Sequence, residues 1–293
     1  MRFQKFLPLF LMISFSCQKE TGTNDITPAE GFEEIPLAKP MIPGILDEAS
    51  GIADSKTNPG YVWVQQDSGN PNDIALLSYN GTVLKTINIK TSINRDWEDM
   101  ALANGPVAGS NFIYLADVGD NGLSFPEYYI YRFAEPTQTV DSVFECDKIV
   151  FKYPDGSHDA EAIMVDNDTK DIYIITKQDT RSAIYKLPYP QNISAVNVAV
   201  LNGTLTFNGV TSAALSPDGK EILIKTYNAI HYWKKTKAET VEQALMDKPV
   251  SISYKFEPQG EAICFKNDNS GFFTLSERPS VIAAVNLNFY KRK

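Results

Sequence analysis

Cysteine and histidine are scarce in this chain of 293 residues: three cysteines and two histidines. No CxxC, HExxH, GxSxG, Walker or dinucleotide-binding glycine pattern occurs. These absences set aside zinc centres, the nucleophile elbow and phosphate-cradling loops. A Ser-His-Asp triad would have to use His158, with no serine specially marked, since His231 lies mid-strand in AIHYW. His158, beside Asp159 and after PDGS, reads as a turn residue. No basic stripe is visible and the formal charge is −9, or −11 once Arg2 and Lys5 leave with the leader. Such a surface repels nucleic acid and anionic lipid. Long apolar runs are missing too: Leu7–Ile13 (LPLFLMI) is too short to span a bilayer.

That short apolar core, preceded by MRFQKF and followed by SFSC, resembles a bacterial lipobox ending at Cys17, with Phe15 and Ser14 departing from the usual residues. Residues 1–16 are therefore expected to be a signal peptide, with Cys17 the lipidated residue. Residues 17–31, polar and without apolar period, are read as a flexible tether. QKE after the cysteine is similar to the signals that send some lipoproteins to the cell surface. The expected location is the outer membrane of a bacterial envelope, surface-exposed if that signal operates, with contact to the membrane only through the lipid. Cys146 and Cys264 sit in apolar, strand-like runs and are expected as buried thiols rather than a bridge.

Residues 32–293 form one domain, and periodicity names its fold. SGIAD, EDMAL, EAIMV, SAALS and EAICF begin at Ser50, Glu98, Glu161, Ser212 and Glu261, spaced 48, 63, 51 and 49 residues apart. Each is followed by turn chemistry, a second β-branched or aromatic run and a third run that mostly ends near an aromatic. Fourth runs follow as Thr82–Lys90, Ser142–Tyr153, Val198–Phe207 and Val250–Phe256. Repeats of this length are all-β propeller blades. The count is five, or six if Tyr128–Tyr153 hides an extra sheet. The fifth repeat lacks its own last strand, so Phe32–Lys39 is expected to supply it near Val281–Leu287 and close the ring. One short helix is expected over Ala238–Met246, inserted in blade four.

In an antiparallel hairpin the start of the first strand and the end of the second lie together. Applied to each blade, this gathers polar side chains at one rim of the channel. The candidate rim holds Asp67, Asp96, Asp99, Asp117, Asp120, Asn121, Lys177, Lys225, Glu277 and Arg278, with Asp179 beside Lys177. Glu98, Glu161 and Glu261 share one register position and are the candidate metal ligands; oxygen-only donors suit Ca²⁺ or Mg²⁺. Converging carboxylates need a counter-charge, either that ion or Lys177, Lys225 and Arg278. The bland reading is that Asp and Asn at strand ends cap neighbouring backbone groups.

ASGIADS, QQDSG, DWEDMAL, ADVGDN, EAIMVD, VTSAALSPDG, IKTY and EPQGEAI together resemble a group of bacterial secreted β-propellers of unassigned activity. Ala116 and Lys225 depart from that pattern, which often carries glycine and arginine there. The group is distantly similar to β-propeller phytases and lactonase-like propellers, whose rim carboxylates hold Ca²⁺. The resemblance implies the architecture and an acidic rim, not a ligand set. Two functions follow as expectations: a binding propeller for a small molecule, glycan or envelope protein, or a metal-dependent hydrolase of a phosphoester or lactone-type ester.

Overall fold

The computed structural model describes residues 31–177, 180–280 and 284–293. Cys17, the leader, the tether and Asp179 lie outside the described residues. The first strand, β1 (Leu37–Pro40), belongs to the last blade. Blade one is β2 (Ala49–Asp54), β3 (Tyr61–Gln66), β4 (Asp73–Ser78) and β5 (Val83–Ile89). Blade two is β6 (Trp97–Asn104), β7 (Asn111–Asp117), β8 (Tyr128–Ala134) and, beyond the two-residue β9 (Ser142–Val143), β10 (Asp147–Lys152). Blade three is β11 (Ala160–Val165), β12 (Ile172–Thr176), β13 (Ala183–Leu187) and, beyond β14 (Asn197–Val198), β15 (Val200–Thr204). Blade four is β16 (Val210–Leu215), β17 (Glu221–Thr226), β18 (Ile230–Lys234) and β19 (Val250–Ile252). Blade five is β20 (Gly260–Phe265), β21 (Gly271–Ser276), β22 (Asn286–Lys291) and β1.

The innermost strands touch in a closed order: β2 on β6, β6 on β11, β11 on β16, β16 on β20, and β20 on β2. Five separate apolar clusters fill the five spaces between neighbouring blades. Each blade is buried on both faces, so its central strands read as near-continuous apolar runs: IYIIT in β12 is buried throughout. The fold is an all-β propeller of five blades. Tyr128–Tyr153 makes no sixth sheet, because β8 and β10 pair with each other while β9 lies parallel to β5 at the edge of blade one. Likewise β14 lies parallel to β10 at the edge of blade two. Blades two and three thus each lend two residues to the outer edge of the blade before.

The ring closes through the N-terminal strand, with Leu37 opposite Phe289 and Pro40 opposite Asn286. The partner strand Asn286–Lys291 overlaps the expected Val281–Leu287 at Asn286 and Leu287, and residues 281–283 lie outside the described residues. Phe32 anchors the same seam, 2% exposed, edge-on to Phe272 and Tyr232 with the Arg292 guanidinium 4.7 Å above its ring. The inserted helix, α1 (Val241–Met246), is shorter than expected and is opened by a capping box between Thr240 and Gln243. Its Val241, Ala244 and Leu245 join the core between blades three and four. Cys264 is buried and Cys146 half-buried, and both are free.

Candidate functional site at the channel mouth

Every innermost hairpin carries the same irregularity. Ala49 pairs with Gln66 but Gly51 with Gln65, leaving Ser50 as an extra residue. The extra residue is Glu98 in blade two, Glu161 in blade three, Thr211 in blade four and Glu261 in blade five. A bulge releases one residue from the ladder and re-aims its side chain. Blade four is therefore offset by one from the expected alignment: Thr211, not Ser212, is equivalent to the three glutamates.

The five bulged residues divide into two kinds of work. The Ser50 hydroxyl donates to the Trp97 carbonyl at 2.9 Å, and the Thr211 hydroxyl to the Gly260 carbonyl at 3.1 Å. Each acceptor immediately precedes the bulge of the next blade, so the two short side chains stitch neighbouring blades. The three glutamates reach past that seam into the channel mouth, where Glu98 feels Glu161 and Glu161 feels Glu261.

Strand ends add Asp67, Asp96 and Glu277 to the mouth, and Lys177 is the cation seated among these carboxylates. Its Nζ lies 2.6 Å from Glu161 Oε1 and 5.4 Å from the centre of the Tyr227 ring. Tyr227 also hydrogen-bonds Glu261. Burial, then repulsion from Glu261 and Asp67, pushes Glu277 up to about 8. Burial holds Glu161 at about 8 even against the pull of Lys177. Burial and Asp67 raise Asp96 to about 6, and burial with Glu161 raises Glu98 well above the usual range. Oxygen atoms of Asp67, Asp96 and Glu98 lie within 4.8 Å of one another. The structure thus groups Glu98 with two aspartates of blades one and two, while Glu161 is held by Lys177.

Asp99 lies outside that mouth, fully buried and filling the channel at its base. Its Oδ2 accepts the Ile163 N–H at 3.0 Å and the Ala213 N–H at 3.3 Å; its Oδ1 accepts the Met100 N–H at 2.9 Å and the Ser212 hydroxyl at 3.1 Å. Ser212 in turn accepts the Ile263 N–H at 3.2 Å. Two side chains thus satisfy the inner-edge amides of four blades. Burial pushes the Asp99 pKa up, opposed by these donors. Beyond Asp99 the channel becomes a cavity of about 50 Å³ lined by Ile52, Met100, Ile163 and Ile263 together with Asp54, Lys56 and Asn167.

Several expected rim residues are engaged elsewhere. Lys225 is fully buried between blades four and five, 3.1 Å from Glu257 Oε2 and 4.7 Å from the centre of the Tyr254 ring. A Cβ on Gly260 would fall 2.5 Å from its Nζ, so glycine there makes its room. Arg278 pairs with Asp47 at 2.6 Å, tying blade five to the entry of blade one. Neither is seated among the mouth carboxylates, although Lys225 acts on Glu261 through space. Asp120 caps its own turn, accepting the Ser124 and Phe125 N–H groups and the Tyr128 hydroxyl, and Asn121 beside it is exposed. Asp117 lies beside the mouth with its Oδ1 3.4 Å from Arg95 Nε and accepts the Asp96 N–H; burial raises it to about 6. His158 contacts Asp155 and Tyr185, and His231 stacks on Phe207 with burial lowering its pKa to about 4. Sequence reasoning missed Asp47, Arg95 and Glu257. Each lies three or four residues before a bulge, a spacing that could have marked them.

Neither a protein-family model nor a curated protein matches this chain. Among solved structures, Kuenenia stuttgartiensis hydrazine synthase is similar at 10% identity and TM-score 0.43, over 78% of this chain and 80% of that one. The RRP9 WD40 repeats are similar at 10% identity and TM-score 0.42, over 83% and 79%. A nidogen/laminin complex is similar at 11% identity and TM-score 0.43, over 78% and 72%. Likenesses this remote add nothing to the reading of the mouth.

Proposed function

We propose that this chain is an envelope-anchored binding propeller that engages a small molecule, glycan or protein partner at its acidic channel mouth. A hard divalent cation, Ca²⁺ or Mg²⁺, would complete the charge of that mouth. The observation that carries this reading is the convergence of Glu98, Glu161, Glu261, Glu277, Asp67 and Asp96 at one mouth, where Lys177 acts on the first three. Carboxylates packed this way repel unless a positive group joins them, and oxygen donors suit a hard ion. The anchor rests on LPLFLMISFSC ending at Cys17, outside the described residues. No helix among the described residues is long and apolar enough to cross a membrane.

The test is thermal melting of the purified domain with EDTA, Ca²⁺ or Mg²⁺. An ion that binds only the folded state must raise the melting temperature by mass action. No rise with either ion removes the cation from the proposal. The same protein, screened on phosphoester and lactone substrates with and without EDTA, separates binding from hydrolysis: metal-dependent turnover would replace the binding reading with the hydrolase.

A further inference from the structure

The geometry points to a single, off-axis cation site formed by Asp67, Asp96 and Glu98, on the side of the mouth shared by blades one and two. The inference rests on the cation reading above and adds where the ion sits. Two observations carry it. First, these three carboxylates each offer an oxygen within one 4.8 Å cluster, the span of donors around one ion. Second, Glu98 is 6% exposed and accepts no hydrogen bond from any described residue, although it is aimed into that cluster. The residue is almost wholly buried, and an ion facing its carboxylate would supply the partner that no described residue does.

The backbone supports the same position. Gly119 packs so closely on Glu98 Oε1 and Asp96 Oδ2 that a Cβ there would collide with both. The two oxygens therefore face a common small space bounded by main chain. On the far side of the mouth Lys177 pairs with Glu161, and Tyr227 hydrogen-bonds Glu261, whose Oε2 is left without a hydrogen bond. The bulge sends three equivalent glutamates inward, but their neighbours make them unequal: one is a ligand, one an ion-pair partner and one a hydrogen-bond acceptor. Three carboxylates supply three to six oxygens, and water completes the six to eight that Ca²⁺ takes or the octahedron of Mg²⁺.

Calorimetric titration of Ca²⁺ and of Mg²⁺ into the full domain, with the metal content of the dialysed protein measured in parallel, tests this. One ion per chain is expected. Asp67→Asn, which changes a partly exposed side chain and leaves the core intact, should weaken binding by about 10-fold or more, the loss seen even for outer partners of metal ligands. Glu98→Gln should do the same. Glu261→Gln should stay within about 3-fold of the parent, as befits a screened charge outside the coordination shell. Binding that survives Asp67→Asn but is lost with Glu261→Gln would overturn the site while leaving a cation at the mouth. No binding to the parent protein would overturn the cation reading itself.

Discussion

The Ser212 hydroxyl donates to Asp99 Oδ1 at 3.1 Å although 113 residues separate the two in sequence. One residue comes from the inner strand of blade two and the other from that of blade four, so the bond crosses the channel. It links blades that are not neighbours in the ring, and it does so where the inner strands converge on the channel. The propeller is held at its centre by polar contacts and at its five spokes by apolar ones.

Asp99→Ala would leave the Met100, Ile163 and Ala213 amides without their acceptor. An unsatisfied buried donor costs about 1–3 kcal/mol, so the variant should lose about 3 kcal/mol or more. For a domain of this size that is a fall of roughly 6 °C or more in melting temperature. Ser212→Ala should be non-additive with it, with a coupling on the order of 1 kcal/mol in a double-mutant cycle. An unchanged melting temperature for Asp99→Ala would remove the central plug as a stabilising element.

Closure of the ring predicts an unusual sensitivity at the start of the domain. Phe32→Ala deletes a buried ring from the seam between both chain ends and should cost about 3–5 kcal/mol. A chain beginning at Met41 loses Phe32 and the β1 pairing with β22, exposing the edge of blade five, and should aggregate or melt far lower. Equal denaturant midpoints for the parent and the shortened chain would contradict the closure.

The mouth carboxylates make stability fall with rising pH. Glu277 sits near 8 in the folded chain, against an ordinary value of 4.5, so the folded state holds a proton that the unfolded state has lost. Groups raised in this way contribute stability below pH 4.5 that is lost as pH climbs through about 8. Melting temperature without divalent ions should therefore decline between about pH 5 and pH 9, and saturating Ca²⁺ should flatten the decline. A profile that rises over this range would mean that the carboxylates are neutralised within the protein.

The proposed lipid anchor is tested at Cys17, outside the described residues. Expressed in a Gram-negative bacterium, Cys17→Ser should move the protein from the membrane fraction to the periplasm or medium while the melting temperature of the domain stays the same. Retention in the membrane fraction would sink the lipid anchor.

The expected rim residues divide between the mouth and other contacts. Lys225 and Arg278 were legible as bases at the correct strand ends, but which carboxylate each one meets depends on loops that precede the next blade. Asp47 and Glu257 sit on those loops and capture them. Asp99, adjacent to Glu98 in sequence, goes to the channel base because neighbouring positions at a bulge diverge in direction. Likewise SAALS aligns with EAIMV on the alanine they share, yet the bulge falls one residue earlier, on Thr211.

What the sequence determined by itself was the repeat: five copies of turn-separated β runs, the strand count of each blade, the closing strand and the face that collects the carboxylates. These follow from local chemistry, since β-branched and aromatic runs with Gly, Asn, Asp and Pro turns have few other solutions. Tertiary structure alone decided the bulge positions, the exchange of edge residues between blades and the division of three equivalent glutamates into different roles. Each of these depends on partners 16 to 113 residues away, and a carboxylate's charge state is set by whatever the fold brings within a few ångströms of it.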